Sequence, residues 1–179
     1  NVSGGGSAFT HDATIGYSGP GSATIDGAGS VWTCYHNFRM AVGNNGSLTS
    51  TTLTGLGMSQ GIVYGTLENV NVNLGSGGDT LTIVSTHSGV TVLNSNGGSD
   101  TVHVLSTAGV TTVNSGDAQD AINVQTIGAA TTVNAGSGND TINVGSLTPA
   151  VGGNVNAINA LLTINGDGES DTLNVDYSG

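Results

Sequence analysis

The stretch Asn134-Ala-Gly-Ser-Gly-Asn-Asp140-Thr-Ile-Asn-Val144 decides the fold of this chain. It separates an Asn from an Asp by a Gly-rich segment, and alternating polar and aliphatic residues follow. Related stretches recur along the second half of the chain, with Asp-to-Asp steps of 21, 20, 20 and 31. The five pairs are Asn73/Asp79, Asn94/Asp100, Asn114/Asp120, Asn134/Asp140 and Asn165/Asp171. Such a period indicates stacked repeats, because one short unit cannot bury its apolar face alone.

Each repeat contains two segments that are typical of β-strands. Thr141-Ile-Asn-Val144 alternates polar and aliphatic residues after its Asp, and Thr131-Thr-Val133 places an aliphatic residue just before its Asn. Gly and Asn in the connecting turns adopt positive φ at low cost. The sequence therefore predicts an all-β, right-handed parallel β-helix or β-roll solenoid with about 20-residue coils. An antiparallel meander is the alternative, but it does not require identical residues at every twentieth position.

The repeats divide the chain into two regions. Residues 46–179 are predicted to form the solenoid, with an insertion at 145–159 that leaves the coil as a side loop. Residues 1–45 are predicted to form an N-terminal β segment with an aromatic cluster, either continuous with the solenoid or capping it. Within this segment Cys34 and His36 could form a nucleophile and base, but no third group is specified to orient them. We interpret the segment around Trp32 as a buried aromatic plug.

Charge limits the classes of partner. Twelve acidic residues face a single basic residue, Arg39, and the formal net charge is −11. Because one Arg and no Lys are available to neutralise phosphates, nucleic acid is excluded as a partner, and anionic membrane surfaces are disfavoured. No run of about 18 apolar residues is present, so membrane insertion is not expected. The sequence starts at Asn1 without a basic leader, and we interpret it as a processed form or an excised piece of a larger protein.

Several stretches carry a family resemblance. They are 46–58 (GSLTSTTLTGLGM), 71–80 (NVNLGSGGDT), 134–144 (NAGSGNDTINV) and 165–176 (NGDGESDTLNVD). In these stretches residues 46–179 resemble modules of giant secreted bacterial β-strand repeat proteins, also described as haemolysin-type calcium-binding-like (RTX-like) surface proteins. The resemblance implies a secreted or cell-surface location and a role in a surface layer, matrix or adhesin. Residues 1–45 have no counterpart in it.

The acidic residues of the Gly-rich turns are candidate calcium ligands. In the calcium-binding β-roll, each coil has two Asp-bearing turns, and Ca²⁺ lies between adjacent turns. Here only one turn per repeat has that composition, so an alternative is that each Asp caps its turn by accepting a hydrogen bond from the following Thr or Ala amide. The candidate calcium ligands are Asp79, Asp100, Asp117, Asp120, Asp140, Asp167 and Asp171.

The repeated Asn residues are predicted to form a structural ladder. Stacked side-chain amides bond from layer to layer in other cross-β arrays, which predicts such a ladder for Asn73, Asn94, Asn114, Asn134 and Asn165. Separately, N-glycosylation sequons begin at Asn1, Asn45 and Asn139. The outward Thr residues could present hydroxyls to a carbohydrate or ice surface, although Thr is also a common exposed strand residue.

Together these features predict a non-enzymatic structural module of an extracellular fibre, surface layer or adhesin. Its uncovered parallel strand edge would stack end to end with copies of itself or with flanking repeats. One alternative is a calcium-dependent folding or binding module of a secreted repeat protein. A lesser one is a carbohydrate-active β-helix enzyme, which would need a base beside calcium, and Arg39 lies outside the regular repeats.

Overall fold

The computed structural model of the chain describes residues 7–10, 13–15, 31–34, 38–40 and 45–179, the first four segments as backbone only. Every regular element in this described part is a β-strand. The strands are β1 (Ser7–Thr10), β2 (Ala13–Ile15), β3 (Val31–Cys34), β4 (Phe38–Met40), β5 (Asn45–Leu48), β6 (Thr52–Gly55), β7 (Ile62–Val63), β8 (Asn69–Asn73), β9 (Thr80–Ile83), β10 (Val90–Asn94), β11 (Thr101–Val104), β12 (Thr111–Asp117), β13 (Ala121–Val124), β14 (Thr131–Ser137), β15 (Thr141–Val144), β16 (Leu162–Asn165) and β17 (Thr172–Val175). The prediction of an all-β chain is confirmed for these residues.

Two stacks of parallel strands organise the repeat region. One sheet has the order β16-β14-β12-β10-β8, and the other contains β17-β15-β13-β11-β9. Within each stack, equivalent residues of successive repeats lie directly opposite one another: Asn94 pairs with Asn114, and Asn114 pairs with Asn134. Successive repeats thus form layers, and the prediction of stacked parallel strands is confirmed.

The two sheets enclose one apolar core. The strand residues that precede the repeated Asn are fully buried in the central layers, as Leu93, Val113 and Val133 show. From the other sheet, Ile122 and Val124 are fully buried as well, and all five residues belong to a single cluster. Burying a side chain of this size stabilises the fold by about 1.5–3 kcal/mol. The period-2 alternation therefore supplies the main driving force for stacking.

The solenoid predicted from residue 46 begins differently in the structure. β5 pairs in parallel with β9, but β6 runs antiparallel to β5, and β7 runs antiparallel to β6. The turn between β5 and β6 is tight, and Thr49 Oγ1 accepts a hydrogen bond from the Thr52 amide at 2.9 Å. Hairpins of this length connect antiparallel strands only, since a parallel pair needs a longer crossover. The regular parallel layers therefore start with β8 and β9.

Residues 145–159 connect β15 to the last layer. Ser146 N–H donates to the Asn154 carbonyl at 2.8 Å, which closes the loop near its base. The Thr148 carbonyl accepts a 3.0 Å hydrogen bond from Gln125 Nε2, and the Thr148 side chain is buried. Ile158 forms a parallel bridge with Ile127, so the chain rejoins the stack there. The insertion is consequently fastened to the layers beneath it.

The N-terminal strands also pair in parallel, β1 with β3 and β2 with β4. The predicted aromatic plug and the Cys34/His36 arrangement depend on side chains outside the described residues.

Candidate functional site

The repeated Asn residues form a continuous file along one sheet, here called the first Asn column. Each Nδ2 donates to the Oδ1 of the Asn one layer earlier. Donor–acceptor distances are 2.6 Å from Asn94 to Asn73 and 2.7 Å from Asn114 to Asn94, from Asn134 to Asn114 and from Asn165 to Asn134. All four bonds point in the same direction along the stack. Each internal amide thereby satisfies both a donor and an acceptor at half-buried positions.

A second Asn column lies on the other sheet. Asn143 Nδ2 donates to Asn123 Oδ1, and Asn174 Nδ2 donates to Asn143 Oδ1, both at 2.9 Å. At the start of this column, Asn123 Nδ2 lies 3.4 Å from His103 Nδ1. This column was not among the features predicted from the sequence. The signal was available, because an Asn follows the repeated Asp by three residues in each of the last three repeats.

The Asp residues of the repeats form a third file, the Asp column. The backbone N–H of each Asp donates to the Oδ1 of the Asp one layer later, at 2.7 Å for Asp79 to Asp100, 2.7 Å for Asp100 to Asp120 and 2.8 Å for Asp120 to Asp140. The Asp140 amide donates similarly to Asp171 at 3.0 Å. The acceptor role expected of these carboxylates is therefore used between layers, instead of toward the next residue of the same turn.

Burial places these carboxyl groups in an unfavourable environment for charge. Asp100, Asp120 and Asp140 are each at most 3% exposed, and their Oδ2 atoms have no hydrogen-bond partner among the described residues. Desolvation by burial raises the pKa of Asp120 to about 7, opposed by the hydrogen bond from the Asp100 amide and reinforced by the neighbouring acids. Burial likewise raises the pKa of Asp100 to about 6, and the pKa of Asp140 is also raised, chiefly by desolvation. These three carboxyl groups of the column therefore resist full ionisation.

The remaining acidic candidates lie at the surface of the same turns. Asp117 and Asp167 are exposed, and Asp171 is half-buried in the last layer. Asp167 has a φ of 71°, a left-handed conformation that suits a tight turn. Within the described part of the chain, no group of three or more His, Cys, Asp or Glu side chains is arranged to hold a metal ion.

Two of the three glycosylation candidates fall within the described residues. Asn45 is exposed at the start of β5, and Asn139 is exposed in the turn before β15. The Asn139 Oδ1 accepts a 3.1 Å hydrogen bond from the Ser170 amide. Asn1 lies outside the described residues.

The last layer exposes apolar surface along its open edge. Leu173 and Val175 pair with Ile142 and Val144, which are at most 5% exposed one layer earlier. Leu173 itself is 53% exposed and Val175 is 59% exposed. We name β16 and β17 together the C-terminal edge. Its apolar positions continue the core, but no layer covers them in the structure.

Comparison with protein-family models, curated proteins and solved structures found no match to this chain. Over the described residues, no helix is long and apolar enough to cross a membrane.

Proposed function

We propose that this chain is a non-enzymatic structural module of a secreted fibre, surface layer or adhesin, assembled end to end through stacked β-layers. The proposal includes a right-handed course for the parallel coil, with about 20 residues per turn, a secreted or cell-surface location and the resemblance to giant bacterial repeat proteins. Copies of the chain or flanking repeats are the proposed partners, and carbohydrate is a further candidate partner of the exposed surface.

The observation that carries the proposal is the C-terminal edge. Parallel strands with unpaired backbone groups and exposed core positions favour the addition of another strand. Tyr177 and Leu161, 66% and 72% exposed, enlarge the apolar surface beside the edge. Within each column all hydrogen bonds run in the same direction, and this also supports the proposal, because a further layer would extend each column without changing its geometry.

Imaging tests this proposal. Native full-length protein, examined by negative-stain electron microscopy, is expected to form rods or fibres of constant width, since each added layer repeats the last. Leu173→Lys is expected to shorten them by placing a charge on the apolar edge. Val110→Lys is the matched control, because Val110 is 51% exposed and lies just before β12, in an inner layer of the stack. Dispersed single particles of the native protein would contradict the proposal.

A calcium-dependent folding module is the second candidate. One observation favours it: the buried Oδ2 atoms of Asp100, Asp120 and Asp140 have no hydrogen-bond partner in the described part of the chain. A hard cation is one way to stabilise carboxylates stacked in this manner.

Chelation separates these two candidates. For the structural module, we expect the far-ultraviolet circular dichroism spectrum to be unchanged by EDTA, since hydrogen bonds and the apolar core hold the layers together. A loss of strand signal on chelation, restored by added Ca²⁺, would instead support the calcium-dependent module.

A further inference from the structure

The three columns give the stack a chemical direction. In both Asn columns the later residue donates its Nδ2 to the earlier residue's Oδ1. In the Asp column the direction of donation is reversed, because the earlier backbone N–H donates to the later Oδ1. A layer therefore meets its successor with two amide acceptors and one backbone donor. It meets its predecessor with two amide donors and one carboxylate acceptor.

The C-terminal edge presents the successor-facing set. Asn165 and Asn174 each donate to the layer below, and their Oδ1 atoms accept no hydrogen bond from any described residue. The backbone N–H of Asp171 is the corresponding donor, and it too has no acceptor among the described residues, whereas the same group of Asp140 donates to Asp171 Oδ1. Three polar groups and the apolar positions of Leu173 and Val175 are thus arranged as they are at the two junctions between the last three repeats.

A matching layer must carry Asn, then Asp six residues later, then Asn three residues after that. This Asn-x5-Asp-x2-Asn pattern occurs at Asn114, Asn134 and Asn165 and nowhere else in the sequence. The first regular repeat has Thr82 at its last position, and β9 is already covered there by β5. The first regular repeat of a second copy therefore supplies Asn73 and Asp79 but lacks the final Asn of the pattern.

We propose that the C-terminal edge is a template that selects a β-coil bearing Asn-x5-Asp-x2-Asn, laid in parallel on β16 and β17. The inference rests on the proposed end-to-end function and names the partner as a coil of the same type as the last three repeats. Recognition comes from the two amide donors and the carboxylate of the incoming coil. The apolar residues supply affinity, while the polar columns set direction and register.

A fusion tests the template directly. A copy of residues 125–144 is placed after Val175, in place of residues 176–179. The copy of Gln125 then takes the position of Asp176. The register is preserved, because the N–H groups of Gln125 and Asp176 make equivalent hydrogen bonds to the preceding layer, with the carbonyls of Val104 and Val144. Amide hydrogen exchange in β16 and β17 is expected to slow by at least about tenfold, since a paired strand opens less often than an edge strand.

Two variants of the added coil separate template recognition from simple apolar coverage. The first carries Ala at the copies of Asn134, Asp140 and Asn143, and is expected to lose most of the added protection. The second carries Ala at the copies of Thr132, Ser137 and Asn139, which take no part in the three columns, and is expected to retain it. Exchange in β12 and β14 serves as the internal check that the layers below stay folded.

The inference is overturned if the unmodified coil gives no protection, if the first variant protects β16 and β17 as well as the unmodified coil, or if the fusion exposes β12 and β14. These results are distinct from failure of the proposed function. Absence of rods in native material would contradict end-to-end assembly, whatever the fusion shows. If rods form but the first variant still protects β16 and β17, only the selection of a partner by the polar columns is contradicted, and end-to-end assembly stands.

Discussion

Replacing Gly116 with alanine is expected to lower the free energy of unfolding by roughly 3 kcal/mol. Gly116 has a φ of 105° in β12, a conformation that L side chains rarely adopt. An added Cβ would also overlap the backbone carbonyl oxygen of Asn96 in the layer below. Since that carbonyl accepts a 2.6 Å hydrogen bond from the Asp117 amide, it cannot move away without loss of the junction. Urea unfolding followed by circular dichroism measures the change.

Gly97→Ala is the matched control for this effect. Gly97 lies in the equivalent turn one layer earlier, forms a bridge with Asp117, and has open space where a Cβ would be placed. Its backbone is also outside the positive-φ range. We expect the stability of this variant to stay within about 0.5 kcal/mol of the parent chain. Equal losses for Gly116→Ala and Gly97→Ala would show that close stacking of the turns does not determine stability.

In calcium-free buffer, the chain is expected to be more stable at pH 5 than at pH 8, by on the order of 3 kcal/mol. Burial raises the pKa of Asp120 to about 7 and of Asp100 to about 6, from an ordinary value of 3.8. Between the ordinary and the raised pKa, the folded chain binds protons that the unfolded chain releases. Stability therefore increases as the pH falls from above 7 toward 4, and is lost as the pH rises through 7. Urea unfolding midpoints at pH 5, 6, 7 and 8 measure this dependence.

Asp120→Asn isolates the buried carboxyl responsible for the largest part of this dependence. The amide oxygen still accepts from the Asp100 backbone N–H, but the side chain cannot ionise. The variant is expected to be more stable than the parent at pH 8 and to show a weaker dependence on pH. Asp167→Asn removes the same formal charge from an exposed turn and is expected to leave the dependence unchanged. The same slope in the parent and in Asp120→Asn would contradict our account of the Asp column.

The repeat and its apolar alternation were sufficient to predict stacked parallel strands. Aliphatic residues occupy every second position of each strand segment, and the same pattern returns near every twentieth residue. Both features can be counted in the sequence. The position of Asn114 directly between Asn94 and Asn134 follows from the same spacing. The second Asn column could also have been predicted, because Asn123, Asn143 and Asn174 keep a constant distance from the repeated Asp.

The antiparallel strands at residues 45–63 were not predicted. The segment from Gly46 to Met58 is as β-prone as the repeats, and local propensity does not distinguish a parallel layer from a hairpin. The short Thr49–Thr52 turn sets the direction of β6, since it leaves no length for a crossover. The two ends of the stack therefore differ. At the first end β5 covers β9, whereas at the other end β16 and β17 are edge strands.

Spacing alone established which residues would share a column in this protein, because side-chain direction in a strand has a period of two and the layers repeat at nearly constant length. The partner of each carboxylate depended on three-dimensional stacking. A turn viewed by itself offers the Asp the amide of the next residue, whereas stacking brings the backbone N–H of the previous layer to within 2.7 Å of Asp120 Oδ1. Contacts between layers, which no local segment contains, therefore determine the burial and the raised pKa values of Asp100, Asp120 and Asp140, and the direction of all three columns.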